Sequence, residues 1–94
     1  MSTQERVLIL KLNLQLMTDA FDGYLQQLLE AAEQMIAREG ITLTSSAEDE
    51  QLRVMYAAYL YRKRAEDNPP MPRMLRYALN NRLFSQKAGG SNAT

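Results

Sequence analysis

Residues 19–40 read DAFDGYLQQLLEAAEQMIAREG, and their spacing predicts the principal helix of an all-helical fold. Phe21, Tyr24, Leu25, Leu28, Leu29, Ala32, Met35 and Ile36 recur three and four residues apart, which gathers them on one apolar face. Glu30, Glu33 and Gln34 fall away from that face. Thr18 or Asp19 can cap the start, and Asp19 and Asp22 suit the positive end of a helix. Gly40 follows at the position where a left-handed cap is usual. Ile41–Leu43 then suits a short extended segment, because Ile, Thr and Leu fit a half-buried pleated surface.

Outward from this helix the signals are less uniform. Residues 3–12 predict a short first helix capped by Thr3. The run Leu8, Leu10, Leu12, Leu14, Leu16 also alternates with a period of two, a strand signature. The two readings combine as a short helix that leaves by an extended segment near Asn13–Met17. Beyond Gly40, Ser45 and Ser46 open a third helix, with Ser46 and Asp49 close to a capping box and Glu48–Glu50 in the first turn. It runs to about Ala65 on a stripe of Leu52, Met55, Tyr56, Tyr59 and Leu60. Asn68-Pro69-Pro70 breaks it. A fourth helix follows from about Pro72 to Phe84, lined by Leu75, Ala78, Leu79 and Leu83. The expected architecture is a small bundle of about four helices over residues 1–84. Residues 85–94, with Gly89-Gly90-Ser91-Asn92, read as a flexible polar tail.

With 94 residues the chain fits one domain with a thin core, for which self-association is a natural source of further burial. It has no Cys and no His. That removes disulfides, thiolate sites, the commonest general base and the commonest metal ligand. No secretory leader and no membrane-spanning run is read. Serine–lysine pairs on a common helix face, a calcium-loop pattern and a glycine-rich phosphate loop are all missing from the sequence. The expectation is a protein without catalytic residues, metal or cofactor, which acts by binding.

Formal charge sums to zero but is divided along the chain. Residues 1–50 hold nine acids and three bases, a balance of −6; residues 51–94 hold eight bases and two acids, a balance of +6. The two halves could neutralise each other inside one molecule or between molecules. Arg62-Lys63-Arg64, extended by Arg73, Arg76 and Arg82, could instead meet nucleic-acid phosphates, although cations at a helix end also satisfy its last carbonyls. Tyr56 and Tyr59 belong to the buried stripe. Tyr61 points elsewhere and is an interface candidate.

Helix order and several residue runs resemble one known family. A lysine-bearing short helix precedes Asp22-Gly23-Tyr24-Leu25 and Leu29-Glu30-Ala31-Ala32, ending in Glu39-Gly40-Ile41. Then come Tyr56-Ala57-Ala58-Tyr59-Leu60-Tyr61-Arg62, a proline break, and Leu75-Arg76-Tyr77-Ala78-Leu79-Asn80-Asn81-Arg82. Over roughly residues 4–84 this resembles the head–tail connector (adaptor, or head-completion) proteins of long-tailed bacteriophages and prophages. The resemblance implies a structural virion protein at the head–tail neck, formed in the host cytoplasm during assembly. It implies a ring homo-oligomer, dodecameric in form, between the portal protein and the tail-completion (stopper) protein, with DNA passing through the lumen unread. In such a ring, Glu30, Glu33, Glu48 and Glu50 would meet Arg53, Arg62, Arg73 and Arg76 of the next subunit, with Tyr61 in the interface. The tail residues Ser85, Gln86, Lys87, Gly89, Gly90, Ser91 and Asn92 would reach the portal. The alternative is a small helical nucleic-acid-binding or DNA-packaging accessory protein that uses the basic half.

Overall fold

The computed structural model describes residues 1–64 and 69–92, and these form a bundle of four α-helices with no sheet. The helices are α1 (Thr3–Leu14), α2 (Asp22–Arg38), α3 (Ala47–Lys63) and α4 (Arg73–Asn92). Among the described residues, α3 is the helix that packs along all three others. It therefore supplies the most core: Leu52, Val54, Tyr56, Ala57 and Ala58. Leu25, Leu29, Ala32 and Ile36 of α2 close against it, with Leu10 of α1 and Leu75 and Leu79 of α4. Each of these larger aliphatic side chains contributes roughly 1.5–3 kcal/mol by leaving water.

The helix ends show which local signals prevailed. Ser2, one residue before Thr3, caps α1, and Ser2 and Glu5 form a complete capping box. The Ser2 amide donates to the Glu5 carboxylate, which holds its pKa below the ordinary value. The period-two pattern does not make a strand. Helix α1 runs to Leu14, and Gln15 takes a left-handed conformation (φ 60°) that closes it through amide bonds back to Leu12 and Lys11. At α2 the start falls at Asp22 rather than Asp19. Thr18 turns its hydroxyl to the Ala20 amide, and no side chain caps the helix at Phe21. Ser46 caps α3 as expected, its hydroxyl accepting from the Asp49 amide at 3.2 Å.

Two connections differ in kind. Residues 41–44 are non-helical, with Ile41 buried in the core, as the short extended reading required. Beyond Phe84, residues 85–92 of the segment expected as a flexible tail continue α4 to Asn92. Nothing from Ser85 to Ala88 obstructs a helix. The side-chain amide of Gln86 also holds α4 to the connection after α2, donating to the Thr42 carbonyl at 2.6 Å and accepting from the Thr42 amide at 2.9 Å. Glycine costs only about 1 kcal/mol per helical position, too little to end a helix alone. Ala65, the expected end of α3, and Asn68, the first residue of the expected break, lie outside the described residues.

Gly40 ends α2 with φ +96°, and a Cβ there would stand 3.4 Å from Leu83 Cδ1. The space is ordinary; the backbone is not, since an L-residue is disfavoured by roughly 1–2 kcal/mol in the left-handed region. Gly40→Ala is expected to lower stability by about that amount in a urea titration, with an unchanged far-ultraviolet circular dichroism spectrum before the transition.

Candidate functional site

The charge division observed along the sequence resolves into ion pairs within the chain. Asp49 lies in the first turn of α3 with no exposed surface. Arg82 of α4 donates to it twice, Nε to Oδ1 at 2.7 Å and Nη2 to Oδ2 at 3.1 Å. Thr44 adds its amide at 2.8 Å and its hydroxyl at 2.7 Å. Burial alone would push the Asp49 pKa up, but these donors outweigh it and the net shift is downward. Arg82 is raised in return, first by that bond.

The next residue, Glu50, is buried between Arg6 of α1 and Arg53 of its own helix. Arg6 Nε reaches both Glu50 oxygens at 3.1 and 3.2 Å. Arg53, also buried, pairs with Glu50, donates to the Thr44 carbonyl at 2.7 Å and reaches Glu33 of α2 at 3.2 Å. Arg76 clasps Glu39 through both terminal nitrogens, at 2.8 and 3.2 Å, and its pKa rises with that bond. On α1, Lys11 pairs with Asp19 and lies 3.1 Å from Asp22 Oδ1. The Asp19 bond raises Lys11 and lowers Asp19. Asp19 and Asp22 thus bind a lysine before they serve α2.

The residues named for contacts between subunits therefore divide. Glu33, Glu50, Arg53 and Arg76 are held by partners inside the chain. Glu30, Glu48, Arg62 and Arg73 are exposed. Tyr61 is half-buried, its ring 6.5 Å from that of Tyr24. The Arg64 guanidinium lies over Phe21, Tyr24 and Tyr61 at 5.7, 5.3 and 4.7 Å from the ring centroids. Lys63 stands 5.8 Å from the Tyr59 ring, which meets Tyr56 edge to face. Two of the three bases of the run, Lys63 and Arg64, thus lie over aromatic faces at the end of α3. Of the tail residues, Ser85, Gln86 and Lys87 lie on α4, with Gln86 committed to Thr42. Gly89, Gly90, Ser91 and Asn92 form its last turn.

Eight large apolar side chains are exposed among the described residues: Met1, Met35 of α2, which the spacing assigns to the apolar face, and six more exposed than either. Leu8 (56%), Leu12 (70%) and Met17 (98%) lie on or just after α1, and Met74, Tyr77 and Phe84 (77, 58 and 77%) lie on α4. Met74, Tyr77, Asn81 and Phe84 share the face of α4 opposite Leu75 and Leu79, by helical spacing. The sequence held this signal, since Val7 to Leu10, Leu12 and Leu14 make α1 apolar all round. A 12-residue helix on a bundle surface cannot bury every side of itself. Between the flanking helices, surface clefts of 370, 280 and 400 Å³ follow α3, with Gln51 in all three walls. No group of three or more carboxylates that could hold a metal occurs among the described residues, and no described helix is long and apolar enough to cross a membrane. Set against known proteins, the chain matches no family model, no characterised sequence and no solved structure.

Asp49 gives a test of the network. Its depressed native pKa means its contribution is complete above the ordinary carboxylate pKa of about 4 and is lost as pH falls through the native value. Asp49→Asn leaves Arg82 without its anion. The expected cost at pH 7 is about 3 kcal/mol, the low end for breaking a buried pair, because Arg82 keeps some contact with water. Denaturant titrations from pH 7 to pH 2 are expected to show a constant gap between the two proteins down to about pH 4, and a narrowing gap below it.

Proposed function

We propose that this chain is a structural subunit of a bacteriophage neck, a head–tail connector that forms a ring between the portal and the tail-completion protein. The observation that carries the reading is that the six most exposed large apolar side chains fall on or just after α1 (Leu8, Leu12, Met17) and on α4 (Met74, Tyr77, Phe84). A subunit with two different sticky faces associates head to tail, and head-to-tail contact closes into a ring when the rotation allows. The resemblance over residues 4–84 supplies the class of assembly, and the four-helix order supports it. A balanced charge suits a conduit through which DNA must slide, since each phosphate contact would add affinity. The nucleic-acid reading has less to draw on. Arg76 and Arg82 are neutralised by Glu39 and Asp49, and Lys63 and Arg64 lie over aromatic rings.

Co-expression with the portal protein encoded in the same genome tests this reading. The two are expected to co-purify, and negative-stain images are expected to show this chain as a closed ring on one end of the portal. A genome without a portal gene, or a portal that emerges alone at high concentrations of both proteins, would overturn it.

A further inference from the structure

The two exposed apolar faces differ in charge as well as position. Outward-facing α1 carries Leu8, Leu12 and one carboxylate, Glu5, while its bases turn inward, Arg6 to Glu50 and Lys11 to Asp19. Helix α4 carries four bases and no acid. Arg76 and Arg82 are neutralised from within, so the outer face with Met74, Tyr77 and Phe84 keeps a basic margin at Arg73, which is exposed and has no carboxylate partner among the described residues. Run parallel, two α4 faces would set Arg73 against Arg73 and two α1 faces would set Glu5 against Glu5; run antiparallel, each like pair separates these charges but offers neither an opposite charge. Only the mixed pairing places an acid beside a base while covering apolar surface on both sides. Like-charge juxtaposition across an interface excludes the wrong partner more effectively than it weakens the right one.

We infer that the outer face of α1 in one copy of this chain docks on the outer face of α4 in a second copy. Glu5 would lie at the Arg73 margin, so the two helices run parallel, and Leu8 comes level with Tyr77 at about 1.5 Å of rise per residue. Further along, Leu12 and then Met17 approach Phe84. The contact is heterologous. The first copy keeps its α4 face open and the second keeps its α1 face open, so each contact leaves a place for another. The inference rests on the ring reading for its closure, but not for the contact itself.

Because the chain has no cysteine, single cysteines report the contact without background. Leu8→Cys and Tyr77→Cys are made separately and together, both at exposed positions where the fold tolerates the change. After mild oxidation, a mixture of the two single variants is expected to shift from monomer to a disulfide-linked dimer that contains one of each. Either single variant alone is expected to stay monomeric on a non-reducing gel. Self-linked dimers of Leu8→Cys or of Tyr77→Cys, or no cross-link in the mixture, would overturn the inference. The double variant separates this from the ring reading. A ladder that ends in one closed species supports both, whereas a ladder without an end supports the contact and contradicts the ring.

Discussion

A full negative charge with no exposed surface sits at the start of α3, and the fold is arranged around it. Asp49 is tolerable there only because Arg82 and Thr44 surround it with donors and the first turn of α3 contributes the positive end of its dipole. Those donors come from different places in the chain. Arg82 fixes where α4 lies on α3, and Thr44 fixes the connection that leaves α2. Gln86, one turn beyond Arg82, grips the same connection at Thr42. A single buried carboxylate thereby helps to fix the position of the fourth helix, beside its buried Leu75 and Leu79 and the Arg76–Glu39 pair.

The neighbouring pair Glu50 and Arg53 extends the arrangement to the first two helices. Arg6 approaches from α1 and Glu33 from α2, so three helices meet in one charged cluster beside the apolar core. Buried networks of this kind contribute little net stability but are costly to break, and here they set one arrangement of helices that a thin core could not set alone. The cross-half pairs Glu33–Arg53, Glu50–Arg53, Glu39–Arg76 and Asp49–Arg82 are bound within the molecule, while Glu30, Glu48, Arg62 and Arg73 stay exposed. The surface left for other molecules is defined by the leucines of α1 and by the methionine, tyrosine and phenylalanine of α4.

Much of this was legible in the sequence. The spacing from Phe21 to Ile36 fixed α2 and its buried face, and Ser46 with Asp49 marked the start of α3. The residues that misled have several chemical options at once. Asp19 and Asp22 are good helix-start residues, but Lys11 lies within reach and takes them. The leucines from Leu8 to Leu16 satisfy a period of two only because α1 is apolar on every side. The polar stretch after Phe84 contains no helix breaker before Gly89, and its Gln86 contact depends on a residue 44 positions away. The charge halves were countable, but whether Arg53 meets Glu33 of its own chain or of another is a matter of three-dimensional distance that spacing does not encode. Four of the interface candidates, Glu33, Glu50, Arg53 and Arg76, have partners within the chain.

The central claim is that charge is spent inside the molecule and that apolar surface does the joining. Sedimentation velocity at rising ionic strength tests it most directly. Exposed ion pairs are screened over about 3 Å at 1 M salt, whereas apolar contacts are not weakened by it. Self-association that persists or strengthens from low salt to about 1 M is the expected result. A chain that assembles at low salt and falls to monomers at high salt, or that stays monomeric throughout, would contradict the account.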